Sequence, residues 1–162
     1  MVPTLQVRDV LLVDEIAYRL HSPADGDIAI FAPPIASGGS DFVKRVIGVP
    51  GDAIAISNGI VYRNGAALRE PYENQPPTYD LKIRAYGIYV DGAPLDPRIA
   101  NVPPRSAWRD PDRNPPGCYF VLGDNRNYSD DSHVWGFAKS KGFVGRAFLI
   151  VWPFDRLRVL SK

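Results

Sequence analysis

Proline and glycine interrupt this chain so often that nothing between them is long enough for an extended helix: sixteen Pro and fourteen Gly punctuate 162 residues. Proline cannot donate to a helix ladder, and glycine weakens one. What survives between the breakers is a set of short apolar runs rich in Val, Ile and aromatic residues, the pattern of strands joined by turns. Such runs fall at 7–13, 27–31, 42–49, 53–57, 60–63, 118–122, 143–152 and 156–160. Residues 16–20 either continue the first strand or form a second short one. Asn58-Gly59 and Asn64-Gly65 are hairpin signals, because both residues of a tight hairpin turn must tolerate positive φ. Asp91-Gly92 is a weaker echo of the same device.

Residues 70–80 and 97–117 are rich in Pro, Asn, Asp and Arg and read as surface loops. Residues 70–117 are therefore taken as a loop-rich, irregular insertion in a single domain spanning 1–162. Trp108, inside it, is either a plug or an exposed contact. The expected fold is mainly β, with coiled antiparallel sheets or a partly open barrel.

Formal net charge is +1 and basic residues cluster no further than pairs, so nucleic acid is not an expected partner. Cys118 is the only cysteine, which excludes an internal disulfide, and its apolar setting suits a small core residue. No signal peptide is present, and the best apolar run, 147–152, is too short to span a bilayer. Trp152 and Phe154 are either lipid contacts or core aromatics.

Chemistry concentrates in two stretches. The first, DFVKRVIGVPGD at 41–52, sets Lys44 and Arg45 in an apolar strand ended by a Pro-Gly turn. Alternation places Lys44 on the face of Phe42 and Val46. An ammonium there has two outlets: it snorkels to water, or it is desolvated and gives up its proton. Desolvation lowers a lysine pKa toward neutrality, and a neutral amine is a general base. The second stretch is GDNRNYSDDSHVWG at 123–136. As a calcium loop it fails, because Arg126, Tyr128 and Trp135 occupy ligand positions counted from Asp124. Asn127-Tyr128-Ser129 fits a glycosylation acceptor, and a plain solvated turn is the generic reading. A further reading joins the two stretches. A neutral lysine needs a neutral partner, which the Ser129 hydroxyl would supply. Asp131 would then be occupied by His133, in the same strand, or by Arg126.

KRVIGVPGD at 44–52 and GDNRNYSDDSHVWG at 123–136 resemble two signature boxes of type I signal peptidases. GDIAIF at 26–31 resembles a third, and MVPTL at 1–5 the tail of the first box, Ser-Met-x-Pro-Thr-Leu. The four occur in the family's order across nearly the whole chain. The resemblance implies a serine endopeptidase with a Ser/Lys dyad that removes signal peptides from exported preproteins, without metal or cofactor. It implies Lys44 as general base, Ser129 as the hydroxyl that orients it, and Asp131 as a structural acid. The Arg usually found two positions after that acid is here His133, so the pair is expected to weaken as His133 loses its proton. Met1, Leu5, Phe42 and Val43 match the walls of shallow pockets for small side chains, which suits an Ala-x-Ala-like cleavage site. The substrate is expected to be extended and paired with a sheet edge. The family is membrane-anchored, with its catalytic domain on the extracytoplasmic face; the anchor is not part of this sequence.

The family nucleophile stands directly before the Met of the first box, so a chain whose first residue is Met1 is expected not to cleave peptides. Ser37 and Ser40, in a Gly-rich loop before Lys44, are the nearest other serines. The alternative is a non-catalytic peptide-binding relative. A self-cleaving repressor is opposed by the four boxes and by the lack of a DNA-binding segment.

Overall fold

The computed structural model describes residues 1–34, 39–96 and 98–160. Strand β1, Val10–Asp14, is followed by one helical turn, α1, Ala17–Leu20. Strands β2, Ile28–Phe31, and β3, Phe42–Gly48, come next. A run of hairpins comprises β4, Ile54–Ser57, β5, Ile60–Arg63, β6, Ala66–Ala67, β7, Leu81–Arg84, β8, Gly87–Val90, and β9, Ala93–Pro94. Strand β10, Cys118–Leu122, leads through a 3-10 turn at Arg126–Tyr128 into the short helix α2, Ser132–Trp135. Then follow β11, Ala138–Lys139, β12, Phe143–Trp152, and β13, Arg158–Val159.

These strands make two antiparallel sheets. One runs β1-β12-β2-β3-β10-β11, with β13 also on β12; the other runs β6-β5-β4-β7-β8-β9. The fold is mainly β, as expected, and its sheets are open rather than closed into a barrel.

Period-two alternation explains how β3 and β10 serve two cores at once. Ile47, Phe120 and Leu122 point to the second sheet, against Ile54, Ile56, Leu81, Ile83 and Ile88. Val46, Tyr119 and Val121 point the other way, against Phe31 and Trp135. A third cluster joins Leu5 to Ile28, Ala147 and Ile150, with Met1 and Val43 packed on it. Trp108 is a plug: it is buried in the first of these cores and its indole N–H donates to the Pro103 carbonyl at 3.1 Å. Cys118 is buried in the same core.

The three Asn/Asp-Gly hairpins form as expected, with positive φ at both turn residues in each. A fourth hairpin, β7–β8, turns at Ala85-Tyr86, with φ of 49° and 65° and no sequence signal. Tertiary bonds supply what the turn chemistry lacks. The Ala85 N–H donates to Asp112 Oδ1 at 3.0 Å, and the Tyr86 N–H to the Pro111 carbonyl at 2.9 Å.

The ends depart from expectation. The first strand begins at Val10 rather than residue 7, after Arg8 takes up a left-handed φ of 76°. Residues 17–20 are helical, not a strand, because Asp14 Oδ1 accepts from the Ile16 and Ala17 N–H groups and turns the chain. A 3-10 turn at Phe154–Arg156 displaces the last strand to Arg158–Val159. Trp152 and Phe154 are not core: both are exposed, in edge-to-face contact at 4.7 Å. Among the described residues no helix is long and apolar enough to cross a membrane.

Candidate active site

Lys44 sits on β3 where its neighbours change. Strand β2 pairs along Phe42–Arg45, but β10 pairs only from Arg45 onward. Past Leu122 the chain leaves the sheet and returns through the 3-10 turn, which delivers Ser129 in extended conformation. Lys44 Nζ donates to Ser129 Oγ at 2.8 Å, across 85 residues of sequence. The same nitrogen lies 5.5 Å over the Phe42 ring. Burial pushes the Lys44 pKa down from the ordinary lysine value, while Asp131 and then Asp130 push weakly back. Burial is the largest of these causes, so the net shift is downward.

Asp131 is held away from the amine by other donors. Its Oδ1 accepts from the His133 imidazole Nδ1 at 2.7 Å and from the His133 backbone N–H at 3.1 Å. Its Oδ2 accepts from the Gly123 N–H at 2.9 Å. An ionised carboxylate only accepts, so Nδ1 carries the proton in this arrangement. His133 lies in α2, with Asp131 as the N-cap, rather than in a strand. Gly123 is obligatory: a Cβ there would lie 2.2 Å from Ser129 Oγ.

Arg126 is not the partner of Asp131. It is fully buried and makes a two-pronged contact with Glu70, at 2.8 Å on each prong. Arg45, beside Lys44 but on the opposite face, makes an equally buried two-pronged contact with Asp124, at 2.9 and 3.0 Å. Tyr72 stacks on that guanidinium at 3.6 Å. Asp124 also accepts from the Thr4 hydroxyl, which ties the N-terminal turn to the site. Sequence reasoning missed Glu70, Tyr72 and Asp124. The available signal was the Lys-Arg pair itself: alternation sends two adjacent cations to opposite faces, so each needs its own partner.

Met1, Leu5 and Val43 come together, packed on Ile28 and Ile30. Phe42 stands on the other face of β3, against Phe31 and Trp135. The Met1 amino group is partly buried, and its pKa is lowered by that burial and then by the charge of Lys44. The N-terminus therefore lies within the electrostatic reach of the candidate base. Ser40 is exposed, and Ser37 falls outside the described residues. Among the described residues no cluster of His, Cys, Asp or Glu could hold a metal ion.

Similarity to known proteins is extensive. The family model described as signal peptidase, peptidase S26, matches residues 1–152. A probable signal peptidase I-2 of Synechocystis sp. is 39% identical over 165 residues, covering 99% of this chain and 63% of that protein. Signal peptidase I of Leptolyngbya laminosa is 36% identical, covering 99% of this chain and 68% of its own length. The chain thus spans about two thirds of the length of these relatives. The crystal structure of a signal peptidase I from Enterococcus faecalis superposes with a TM-score of 0.53 at 29% identity, over 78% of this chain and 97% of that one.

Proposed function

Because the chain belongs to the signal peptidase family, peptidase S26, we propose that its site is the general-base half of a Ser/Lys endopeptidase acting on exported preproteins. The observation that carries this reading is the Lys44 amine, withdrawn from water and held 2.8 Å from the Ser129 hydroxyl. Such an amine is neutral in a larger fraction of molecules near working pH than an ordinary lysine. It takes the proton from an attacking serine hydroxyl and returns it to the departing amine of the mature protein. It then deprotonates the water that releases the signal peptide. The serine is expected directly before Met1, where the field of Lys44 already reaches the amino group.

The reading extends to the substrate. Residues 42–44 have β2 on one edge and no β10 partner on the other. Among the described residues that edge is open, which suits an extended peptide, with Met1, Leu5 and Val43 in the nearby cluster to receive small side chains. A signal peptide ending in an Ala-x-Ala-like site fits such a shallow apolar surface. The natural setting is a membrane anchor with this domain on the extracytoplasmic side. The exposed Trp152, Phe154, Leu157 and Val159 are candidates to face lipid.

The test is cleavage of a preprotein by the chain carrying a serine directly before Met1. Cleavage at the Ala-x-Ala site is expected, and Lys44→Ala should cost at least roughly 10²-fold in kcat. Lys44→Arg should fail equally, because a guanidinium stays protonated. Undiminished cleavage by either variant contradicts the dyad. Binding of the peptide without cleavage by the chain that carries the serine favours a non-catalytic relative.

A further inference from the structure

Residues 70–80, an irregular loop by sequence, are bound at several points to the segment that carries Ser129. Glu70 takes Arg126, and the Asn74 N–H donates to the Asp124 carbonyl at 2.9 Å. Thr78 donates from its N–H and hydroxyl to Asn127 Oδ1, at 2.8 and 3.1 Å, and Asn127 Nδ2 donates to the Pro76 carbonyl at 3.0 Å. These bonds seat Tyr79 flat on His133, with ring centroids 4.5 Å apart and planes 14° from parallel.

We propose that Tyr79 is a positioning residue for Lys44: its ring clamps His133 onto Asp131 and so keeps the Ser129 hydroxyl on the lysine amine. The inference rests on the reading of Lys44 as the base. The contacts form an unbroken series. The Tyr79 ring covers the His133 imidazole, whose Nδ1 holds Asp131 at 2.7 Å. Asp131 fixes the Gly123 N–H, and the space left by the missing Gly123 Cβ is filled by Ser129 Oγ. Ser129 Oγ accepts from Lys44 Nζ. Among the described residues the buried Tyr79 hydroxyl has no hydrogen-bond partner, so the ring face, not the oxygen, makes the clamp.

The charges around this series set the direction of the effect. Asp130 and Asp131 face Lys44 from the same loop, and the Met1 amino group faces it from the N-terminal turn. Glu70 and Arg126 face Tyr79. Loosening the clamp frees Asp131 from the imidazole and loosens the hydroxyl. A freer carboxylate favours the charged amine, so Lys44 should hold its proton to higher pH.

The experiment is an NMR titration of the Lys44 ε-carbon in the full chain, assigned by its loss in Lys44→Ala. Tyr79→Leu should raise the midpoint by roughly half a unit or more. Tyr79→Phe keeps the ring and should titrate as the parent does. Asn127→Ala, at a half-buried site outside the three hydrophobic cores, unseats the loop; it should shift the midpoint the same way, by less. It also decides the question if Tyr79→Leu does not fold. Parent-like midpoints in Tyr79→Leu and Asn127→Ala overturn the proposal. So does a shift in Tyr79→Phe as large as in Tyr79→Leu, which would assign the effect to the hydroxyl. An ordinary lysine midpoint in the parent chain would instead overturn the general-base reading, and the clamp with it.

Discussion

Lys44 and Ser129 meet because a single missing methyl lets them. Gly123 Cα approaches Ser129 so closely that any side chain would occupy the place of its Oγ. Gly123→Ala should therefore reproduce the defect of Ser129→Ala while leaving both residues of the pair in place. With a serine before Met1, each variant should lower kcat by roughly 10²-fold with little change in KM. Steady-state kinetics on a peptide substrate checks this, and full activity in Gly123→Ala contradicts it. Strand alternation put the Lys44 amine on the face of Phe42 and Val46 but left both outlets for it open, and its assignment as a base came from the resemblance of the two stretches to the signal peptidase boxes. Two explicit possibilities for Asp131 were also legible, but the choice between them was not. Arg126 is taken by Glu70, which lies 56 residues away, and no local pattern announces that contact. The buried Arg45–Asp124 pair was hidden for the same reason. Removing the negative charge that faces Arg45, as in Asp124→Asn, should cost about 3 kcal/mol of stability, read from chemical denaturation.

Among the elements, the hairpins were the most readable and the linking loops the least. An Asn-Gly or Asp-Gly turn carries its own conformational instruction, so β4–β5, β5–β6 and β8–β9 fell where the sequence placed them. The β7–β8 turn holds its positive φ values at Ala and Tyr through bonds to residues 111 and 112, which is tertiary information. Residues 70–80 look like filler by composition, yet they supply partners to Arg45, Arg126, Asn127 and His133. The β4–β5 turn supports that loop from below. At Gly59, φ is +76° and an added Cβ would stand 3.0 Å from Pro76 Cβ; at Gly65, φ is +82° with open space around it. Gly65→Ala should cost about 1 kcal/mol for backbone strain alone. Gly59→Ala should cost more, because Pro76 must also give way. Equal losses in urea denaturation would show that the turn and the loop are mechanically independent.

For the whole molecule, the partial burial of the Lys44 amine on β3 has a thermodynamic signature. The folded-state pKa of Lys44 lies below its unfolded value, so between the two the unfolded chain binds the extra proton. Stability attributable to this residue therefore rises with pH through that window, and burying the charged form is a burden below it. Lys44→Met should be more stable than the parent near neutral pH, and its advantage should shrink as pH approaches the unfolded lysine value, about 10.4. The overall architecture was readable as strands and turns, whereas the sharing of β3 and β10 between two cores was not, since it depends on which sheet each face meets. The most direct test of the account is the titration midpoint of the Lys44 ε-carbon in the parent chain, followed by NMR. A midpoint well below that of the other lysines is predicted; a midpoint among theirs would mean that the amine is solvated and cannot serve as the base.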